Sequence, residues 1–92
     1  MPRVIVQLPR VLARLLGDER AQPTQGATVG DALHNLVNSR PGLALHLFDD
    51  TGEVRRHVLC CLNDEGARGH ASLDRRLEEG DVITLVNSLA GG

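Results

Sequence analysis

The sequence predicts a two-layer α+β domain, in which a sheet packs against one main helix. Three observations lead to this fold class. Short β-branched runs stand near both ends of the chain, one amphipathic helix lies between them, and 92 residues suffice for one modest core but not for a second domain. The predicted order along the chain is strand, strand, helix, strand, short strand and strand.

The first two strands are predicted to form a hairpin with a wide connection. Residues 4–8 are apolar and β-branched, and they stop at Pro9, which cannot donate to a ladder. The buried face of this strand would carry Val4, Val6 and Leu8. We interpret residues 11–16 as part of the connection, because a glycine and a proline interrupt the region that follows. The second strand is predicted over 22–27.

The main helix is predicted to begin after Thr28 and to end near Ser39. The Thr28 hydroxyl can cap the first turn, where Asp31 also suits the positive end of the helix dipole. Pro41 disfavours helical geometry in the residue before it, which sets the end. The apolar residues recur at helical spacing and form one stripe: Val29, Ala32, Leu33, Leu36 and Val37. One face of this helix is therefore expected to cover the sheet.

The middle of the chain is predicted to contain a helical turn, a tight turn and a long strand. We interpret the apolar run 43–48 as the helical turn. Residues 49–52 include two aspartates and a glycine, which are typical of a turn. From 54 to 62 the residues alternate well enough for a long strand, with Val58, Cys60 and Leu62 on one face.

The last third of the chain is predicted to contain the clearest strand. A turn is expected over 63–66, followed by a short strand in a polar segment and a single helical turn over 72–77. Residues 82–86 read Val-Ile-Thr-Leu-Val, which is the most strand-like run of the sequence.

The composition argues against nucleic-acid binding and against lysine chemistry. The formal net charge is -2, and the chain has one Phe but no Trp or Tyr, so it offers neither a basic surface nor stacking platforms. All ten basic residues are arginines, which excludes a lysine nucleophile, a Schiff base and isopeptide links to this chain. No apolar run suits a leader or a membrane span, so we expect a cytoplasmic protein without membrane contact.

No internal group of residues predicts an active site or a metal site. Cys60 and Cys61 would point to opposite faces of a strand, which argues against a disulfide or shared metal ligation and predicts one core thiol and one surface thiol. The acidic pairs at 49–50, 64–65 and 78–79 are interpreted as ordinary turn residues. The histidines lack metal-ligand spacing and are interpreted as surface or capping residues: His34, His46, His57 and His70.

The segment that could carry chemistry is the last one. After the strong strand, residues 87–92 read Asn-Ser-Leu-Ala-Gly-Gly, which are small or simple side chains. At about 3.3 Å per residue they could reach about 20 Å from the body and thread a narrow channel in a partner. Glycine suits such a channel because it has no β-carbon. We predict a globular body over 1–86 and a flexible tail over 87–92.

The sequence resembles the MoaD/ThiS family of ubiquitin-like sulfur carriers over essentially its whole length. The matching segments are Thr-Val-Gly-Asp-Ala-Leu at 28–33, residues 58–64 with the glutamate after them, Leu-Glu-Glu-Gly-Asp-Val-Ile-Thr-Leu at 77–85, and Leu-Ala-Gly-Gly at 89–92. The length and residues 55–64 look closer to the CysO and MoaD types than to the shorter ThiS type. The resemblance implies a β-grasp fold, with a mixed sheet of four to five strands packed on one main helix.

The resemblance also implies a mechanism centred on Gly92. In the family, an E1-like enzyme uses ATP to adenylate the terminal carboxylate, and a sulfur source displaces AMP to leave a thiocarboxylate. Leu89, Ala90 and Gly91 would thread the partner's active site. The sulfur would then pass to an acceptor enzyme that makes cysteine, molybdopterin or a secondary metabolite. The chain would be a protein substrate and sulfur donor with no bound cofactor and no catalytic residue of its own, and ATP would be used by the activating partner.

Two other functions stay open at this point. The chain could be the small subunit of molybdopterin synthase, with its tail inserted permanently into a larger catalytic subunit. It could also be a ubiquitin-like modifier or interaction module. A stable complex with a larger subunit would favour the first alternative, and partner function that survives loss of the tail would favour an interaction module.

Overall fold

The computed structural model describes residues 1–63 and 71–87, which form the predicted two-layer α+β fold. The elements in chain order are β1 (Arg3–Gln7), α1 (Arg10–Leu16), β2 (Ala21–Gln25), α2 (Val29–Ser39), α3 (Ala44–Leu47), β3 (Val58–Leu62) and β4 (Val82–Asn87). α2 is the main helix, and a 3-10 helix at Pro41–Leu43 directly precedes α3.

The four strands form one mixed sheet in the order β2-β1-β4-β3. β1 pairs antiparallel with β2 and parallel with β4, so Val6 lies between Gln22 on one side and Ile83 on the other. β4 pairs antiparallel with β3, with Leu85 opposite Cys60. The first and last of the described strands are therefore the two central strands of the sheet.

The core lies between α2 and one face of the sheet. The predicted inward faces of the first and third strands are confirmed, because these side chains are all buried: Val4, Val6, Leu8, Val58, Cys60 and Leu62. Ile83 and Leu85 continue the same face on β4, each with 1% of its surface exposed. Burying one such aliphatic side chain stabilises the fold by about 1.5–3 kcal/mol relative to leaving it in water. This row of side chains holds β4 in the centre of the sheet.

α2 begins and ends as the sequence predicts. Thr28 is the N-cap, and its Oγ1 accepts a hydrogen bond from the Asp31 N–H at 3.1 Å. The helix ends at Ser39, two residues before Pro41. The predicted stripe faces the core, with Val29, Ala32, Leu33 and Leu36 buried and Val37 packed partly buried against them.

Residues 11–16 lie in the connection between β1 and β2, as predicted, but they form a helix that the sequence analysis does not predict. Gly17 ends this helix, α1, in the left-handed conformation at φ 68°. The N–H of Gly17 bonds the Arg14 carbonyl, and the N–H of Asp18 bonds the Ala13 carbonyl. This pattern is a Schellman cap, which satisfies carbonyls at the end of a helix. Burial of Ala13 and its neighbour Leu12 adds the tertiary packing that so short a helix needs.

The long strand predicted over 54–62 is shorter than expected. β3 begins only at Val58, and Val54 forms an isolated bridge with Phe48. The reason is that the Arg55 N–H bonds the Leu47 carbonyl at 2.9 Å, which ties this segment to α3 rather than to β4.

The helical turn predicted over 72–77 is also wrong. The segment is a hydrogen-bonded turn, in which the Arg75 N–H bonds the Ser72 carbonyl. Its backbone then pairs with the chain around the start of α2: the Arg75 carbonyl accepts from Val29 and the Leu77 N–H bonds Ala27.

The remaining element predictions have different outcomes. The helical turn over 43–48 is confirmed as the end of the 3-10 helix followed by α3, and the turn over 49–52 is confirmed by a bond from the Gly52 N–H to the Asp49 carbonyl. The strand over 82–86 is confirmed and extends through Asn87. The turn predicted at 63–66 and the short strand after it fall almost entirely in residues 64–70, outside the described residues.

Gly26 lies between β2 and α2, in close contact with the helix backbone. A β-carbon built on this residue would lie 2.4 Å from the Ala32 nitrogen and 2.8 Å from the Ala32 Cα. No side-chain rotation can relieve a contact with backbone atoms. Glycine at this position therefore lets α2 pack closely against the end of β2.

Candidate functional site

The candidate site is the tail, and the structure shows where the tail is attached. Gly92 and the three residues before it, Leu89, Ala90 and Gly91, lie outside the described residues, so their roles stay predictions. β4 runs to Asn87, which is paired with Val58 at the start of β3. The tail therefore follows an interior strand that is hydrogen-bonded to neighbours on both sides.

A cleft of about 110 Å³ lies at the end of the sheet where β4 leads into the tail. β1 and β4 are parallel, with Gln7 opposite Thr84, so the residues after both strands leave the sheet at one edge. We call this depression the α1 cleft, and its lining residues are Pro9, Val11, Leu12, Leu15, His46, Leu47, His57 and Val58. Its lining includes residues that follow β1 and residues that lead into β3. β1 and β3 are the two strands next to β4. Because Val58 is also the partner of Asn87, the α1 cleft adjoins the start of the tail.

The outer side of α1 combines apolar and basic side chains. Val11 and Leu15 are 74% and 67% exposed and stand one helical turn apart. Arg10 and Arg14 are exposed beside them, and neither is in an ion pair within residues 1–63 and 71–87. This surface is not predicted from the sequence, because α1 is not predicted. The signal was the spacing of Val11 and Leu15, which is helical and out of phase with the buried Leu12.

The two cysteines have the predicted environments. Cys60 is 4% exposed in the core, and Cys61 is partly exposed on the opposite face of β3. Both are free thiols. Burial raises the pKa of the Cys60 thiol to about 11, and the neighbouring Cys61 adds to the rise. Cys60 therefore stays protonated at neutral pH.

We expect a single fast-reacting thiol in the folded chain at pH 8. Because the thiolate is the nucleophile, Cys60 should react at least about 10-fold more slowly than Cys61 with a thiol reagent such as dithionitrobenzoate. Unfolding the chain in guanidinium should make both react rapidly. The matched variants are Cys61→Ser, which should lose the fast phase, and Cys60→Ser, which should keep it. A fast phase retained in Cys61→Ser would contradict the assignment.

The described acidic pairs each contribute a carboxylate to structural hydrogen bonds, within a turn for Asp49 and with Arg3 of β1 for Glu79. The Thr51 hydroxyl and N–H donate to the Asp49 carboxylate at 2.6 and 2.8 Å and hold the pKa of that carboxyl below its usual value. Glu79 accepts hydrogen bonds from the backbone N–H and the side chain of Arg3, which lower the pKa of Glu79 in the same way. The predicted pair at 64–65 lies outside the described residues.

The described histidines, His34, His46 and His57, are exposed or partly exposed. The exposed ring of His34 stacks on Phe48, with centroids 4.7 Å apart. His46 and His57 line the α1 cleft, and His70 lies outside the described residues. Within residues 1–63 and 71–87, no three His, Cys, Asp or Glu side chains come together in a way that could hold a metal ion. Among the same residues, no helix has the length and apolar character needed to cross a bilayer.

Comparison with known proteins identifies the family. The ThiS family matches residues 6–92, which include the tail. The chain belongs to the ThiS family. Relatives of this chain include a sulfur carrier protein and a small archaeal modifier protein. Sulfur carrier proteins of this family are small carrier proteins and not catalysts.

Individual relatives support the family assignment and the fold. The chain is 29% identical over 91 residues to the sulfur carrier protein CysO of Mycobacterium tuberculosis, which covers 97% of this chain and 98% of CysO. The crystal structure of small archaeal modifier protein 1 from Haloferax volcanii superposes with a TM-score of 0.82 at 32% identity, covering 98% of this chain and 99% of that one. A chain of the crystal structure of the Amycolatopsis orientalis BexX/CysO complex superposes with a TM-score of 0.77 at 27% identity, covering 97% of this chain and 99% of that one. These findings confirm the predicted ThiS family membership and β-grasp fold.

Proposed function

We propose that the chain is a sulfur carrier whose Gly92 carboxylate is adenylated by an E1-like enzyme and converted to a thiocarboxylate. The observation that supports this most directly is the attachment of a small-residue tail to β4, the strand held between β1 and β3. Similarity to the carrier CysO along 97% of the chain supports it further.

The proposed chemistry takes two steps in the partner's active site. A Gly92 carboxylate oxygen attacks the α-phosphorus of ATP, and pyrophosphate leaves. A sulfur nucleophile then attacks the carbonyl carbon of the acyl adenylate, and AMP leaves with the bridging oxygen. The product is a thiocarboxylate on Gly92, whose sulfur is passed to an acceptor enzyme in a biosynthetic pathway.

The chain's own part in this reaction is positioning. Leu89, Ala90 and Gly91 are proposed to thread the partner's active site, because their side chains are small or unbranched at the β-carbon. Five residues after Asn87 reach at most about 17 Å when extended. Once the body docks, a tail this short keeps the carboxylate close to the bound ATP and raises its effective concentration there. The chain itself binds no cofactor in this proposal.

Intact-mass measurement tests the proposal. The purified chain is incubated with an E1-like enzyme, ATP and sulfide, and we expect the mass increase for replacement of one oxygen by one sulfur. Omission of ATP and deletion of Gly92 should each abolish the increase. An unchanged mass in the complete reaction, or an increase that persists after deletion of Gly92, would overturn the proposal.

A second candidate function is protein modification through the same activated carboxylate. It is favoured by 38% identity over 66 residues to small archaeal modifier protein 1 of Haloferax volcanii. In this case a lysine amine of a target would attack the acyl adenylate and form an isopeptide bond. The chain has no lysine, so every such link must join Gly92 to a different protein. Denaturing gels of a tagged chain distinguish the functions, since only modification yields covalent conjugates that resist thiols.

A further inference from the structure

We propose that the α1 cleft and the outer side of α1 dock a segment of the activating enzyme in which apolar side chains are flanked by carboxylates. This inference rests on the proposed function, because it concerns the enzyme that takes up the tail. Three properties of the described residues support it: position, apolar exposure and charge.

The α1 cleft and the outer side of α1 lie near the start of the tail, so an enzyme that takes up the tail would lie against them. Asn87 pairs with Val58, a lining residue of the α1 cleft, and the tail after Asn87 spans at most about 17 Å. An enzyme that draws Gly92 into its active site must therefore lie close to this edge of the sheet. Because β1 is parallel to β4, α1 follows β1 at the same edge.

The apolar side chains on the outer side of α1 have no evident role in folding. Leu12 and Ala13 already bury the inner side of the helix, whereas Val11 and Leu15 remain 74% and 67% exposed. These two side chains form one wall of a cleft whose other walls include Leu47 and Val58. Such a site fits one or two inserted apolar side chains, which is the usual form of an interface anchor.

The charges around the α1 cleft predict which side chains surround the apolar anchor of the partner. None of the eight lining residues of the α1 cleft is acidic, and His46 and His57 are among them. Arg10 and Arg14 are exposed on α1, and Arg56 is exposed next to His57. Carboxylates around the apolar anchor would complement this set and would accelerate the encounter through charge attraction. A basic partner rim would be repelled.

Kinetics with the activating enzyme test the inference. ATP–pyrophosphate exchange dependent on the full chain is measured with the purified E1-like adenylating enzyme of the same organism. We expect Val11→Glu and Leu15→Glu each to raise the KM for the carrier about 10-fold or more. Each substitution removes an apolar contact and adds a negative charge that the partner's carboxylates repel. The kcat should change less than about 2-fold, since the tail is intact.

The matched control is Leu45→Glu. Leu45 is 72% exposed on α3 but does not line the α1 cleft, so its KM should stay within about 2-fold of the parent chain. Thermal melting checks that all three variants remain folded. An unchanged KM in Val11→Glu and Leu15→Glu, or an equal rise in Leu45→Glu, would overturn the docking surface.

Salt dependence provides a readout that a loss of folding would not imitate. The KM of the parent chain should rise with ionic strength, and the double variant Arg10→Gln/Arg14→Gln should show a weaker rise. A parent KM that does not depend on salt would contradict the acidic rim. If the parent chain supports no exchange at all, or if exchange survives deletion of Gly92, the proposed function fails and the inference fails with it. If the parent chain supports exchange that requires Gly92, but Val11→Glu and Leu15→Glu leave the KM unchanged, the inference alone fails.

Discussion

Gly26→Ala is expected to lower the free energy of unfolding by about 3 kcal/mol or more. The added methyl group would lie 2.4 Å from the Ala32 nitrogen and 2.8 Å from the carbonyl carbon of Asp31. Both are backbone atoms in the first turns of α2, so relief requires the helix to move away from β2. For a domain of this size, the loss corresponds to a fall in melting temperature of at least about 12 °C.

Gly42→Ala is the matched control for this prediction. The nearest atom to its added methyl group is the Leu16 Cδ2 at 3.7 Å, an ordinary van der Waals distance. We expect the unfolding free energy to change by less than about 0.5 kcal/mol. Urea titrations of both variants measure the difference. Equal stability of the two variants would show that α2 does not approach β2 as closely as the structure has it.

Ile83→Ala is expected to destabilise the chain by about 3 kcal/mol, through loss of apolar burial and creation of a cavity. Ile83 is 1% exposed in the middle of the sheet, where it lies opposite Val6 of β1 and Leu62 of β3. The substitution therefore weakens the strand that carries the tail. Near the melting temperature of this variant, carrier activity should fall together with the folded fraction.

Val86→Ala on the same strand is the control. Val86 is 42% exposed on the other face of the sheet, so its truncation should cost less than about 1 kcal/mol. Both changes convert a β-branched residue of β4 to alanine, which balances the loss of strand propensity. If the two variants were equally destabilised, burial of Ile83 would not be what holds β4 in place.

Much of the fold could be predicted because local signals agreed with the tertiary structure. The cap at Thr28, the stripe through Leu33 and Leu36, and the stop before Pro41 all depend on residues within a few positions of one another. The alternation around Cys60 likewise needed only a sheet with one buried face. These features confirm that periodicity and capping suffice where packing does not override them.

Two of the wrong predictions share a physical cause, which is backbone hydrogen bonding to another part of the chain. Residues 72–77 fail to form a helical turn because their backbone pairs with the chain around Ala27 and Val29. The segment around Val54 is not part of β3, because the Arg55 N–H donates a hydrogen bond to the Leu47 carbonyl in α3. In α1 the signal was local but was assigned to the wrong structure, since Gly17 indicates a helix C-cap as readily as a turn.

The candidate site likewise has one part that the sequence predicts and one part that it does not. The tail was apparent from composition, because Leu-Ala-Gly-Gly needs no tertiary context to be recognised. The α1 cleft was not, because it combines residues near position 11 with residues near positions 46 and 57, and only the folded sheet brings them to one edge.

The central pairing of β1 with β4 also has a consequence for the folding kinetics. Ile5 lies beside Val82, and the Ile5 N–H bonds the Asp81 carbonyl at 3.0 Å, so this contact closes a loop of almost the whole chain. Such non-local pairing raises the contact order, and we expect slower folding than in a helical bundle of equal length. Among the described strands, the one that bears the tail comes last along the chain, yet it lies in the middle of the sheet. Only a globally folded chain can therefore hold the start of the tail in the sheet, and under the proposed function nascent or misfolded copies would be poor substrates for the activating enzyme.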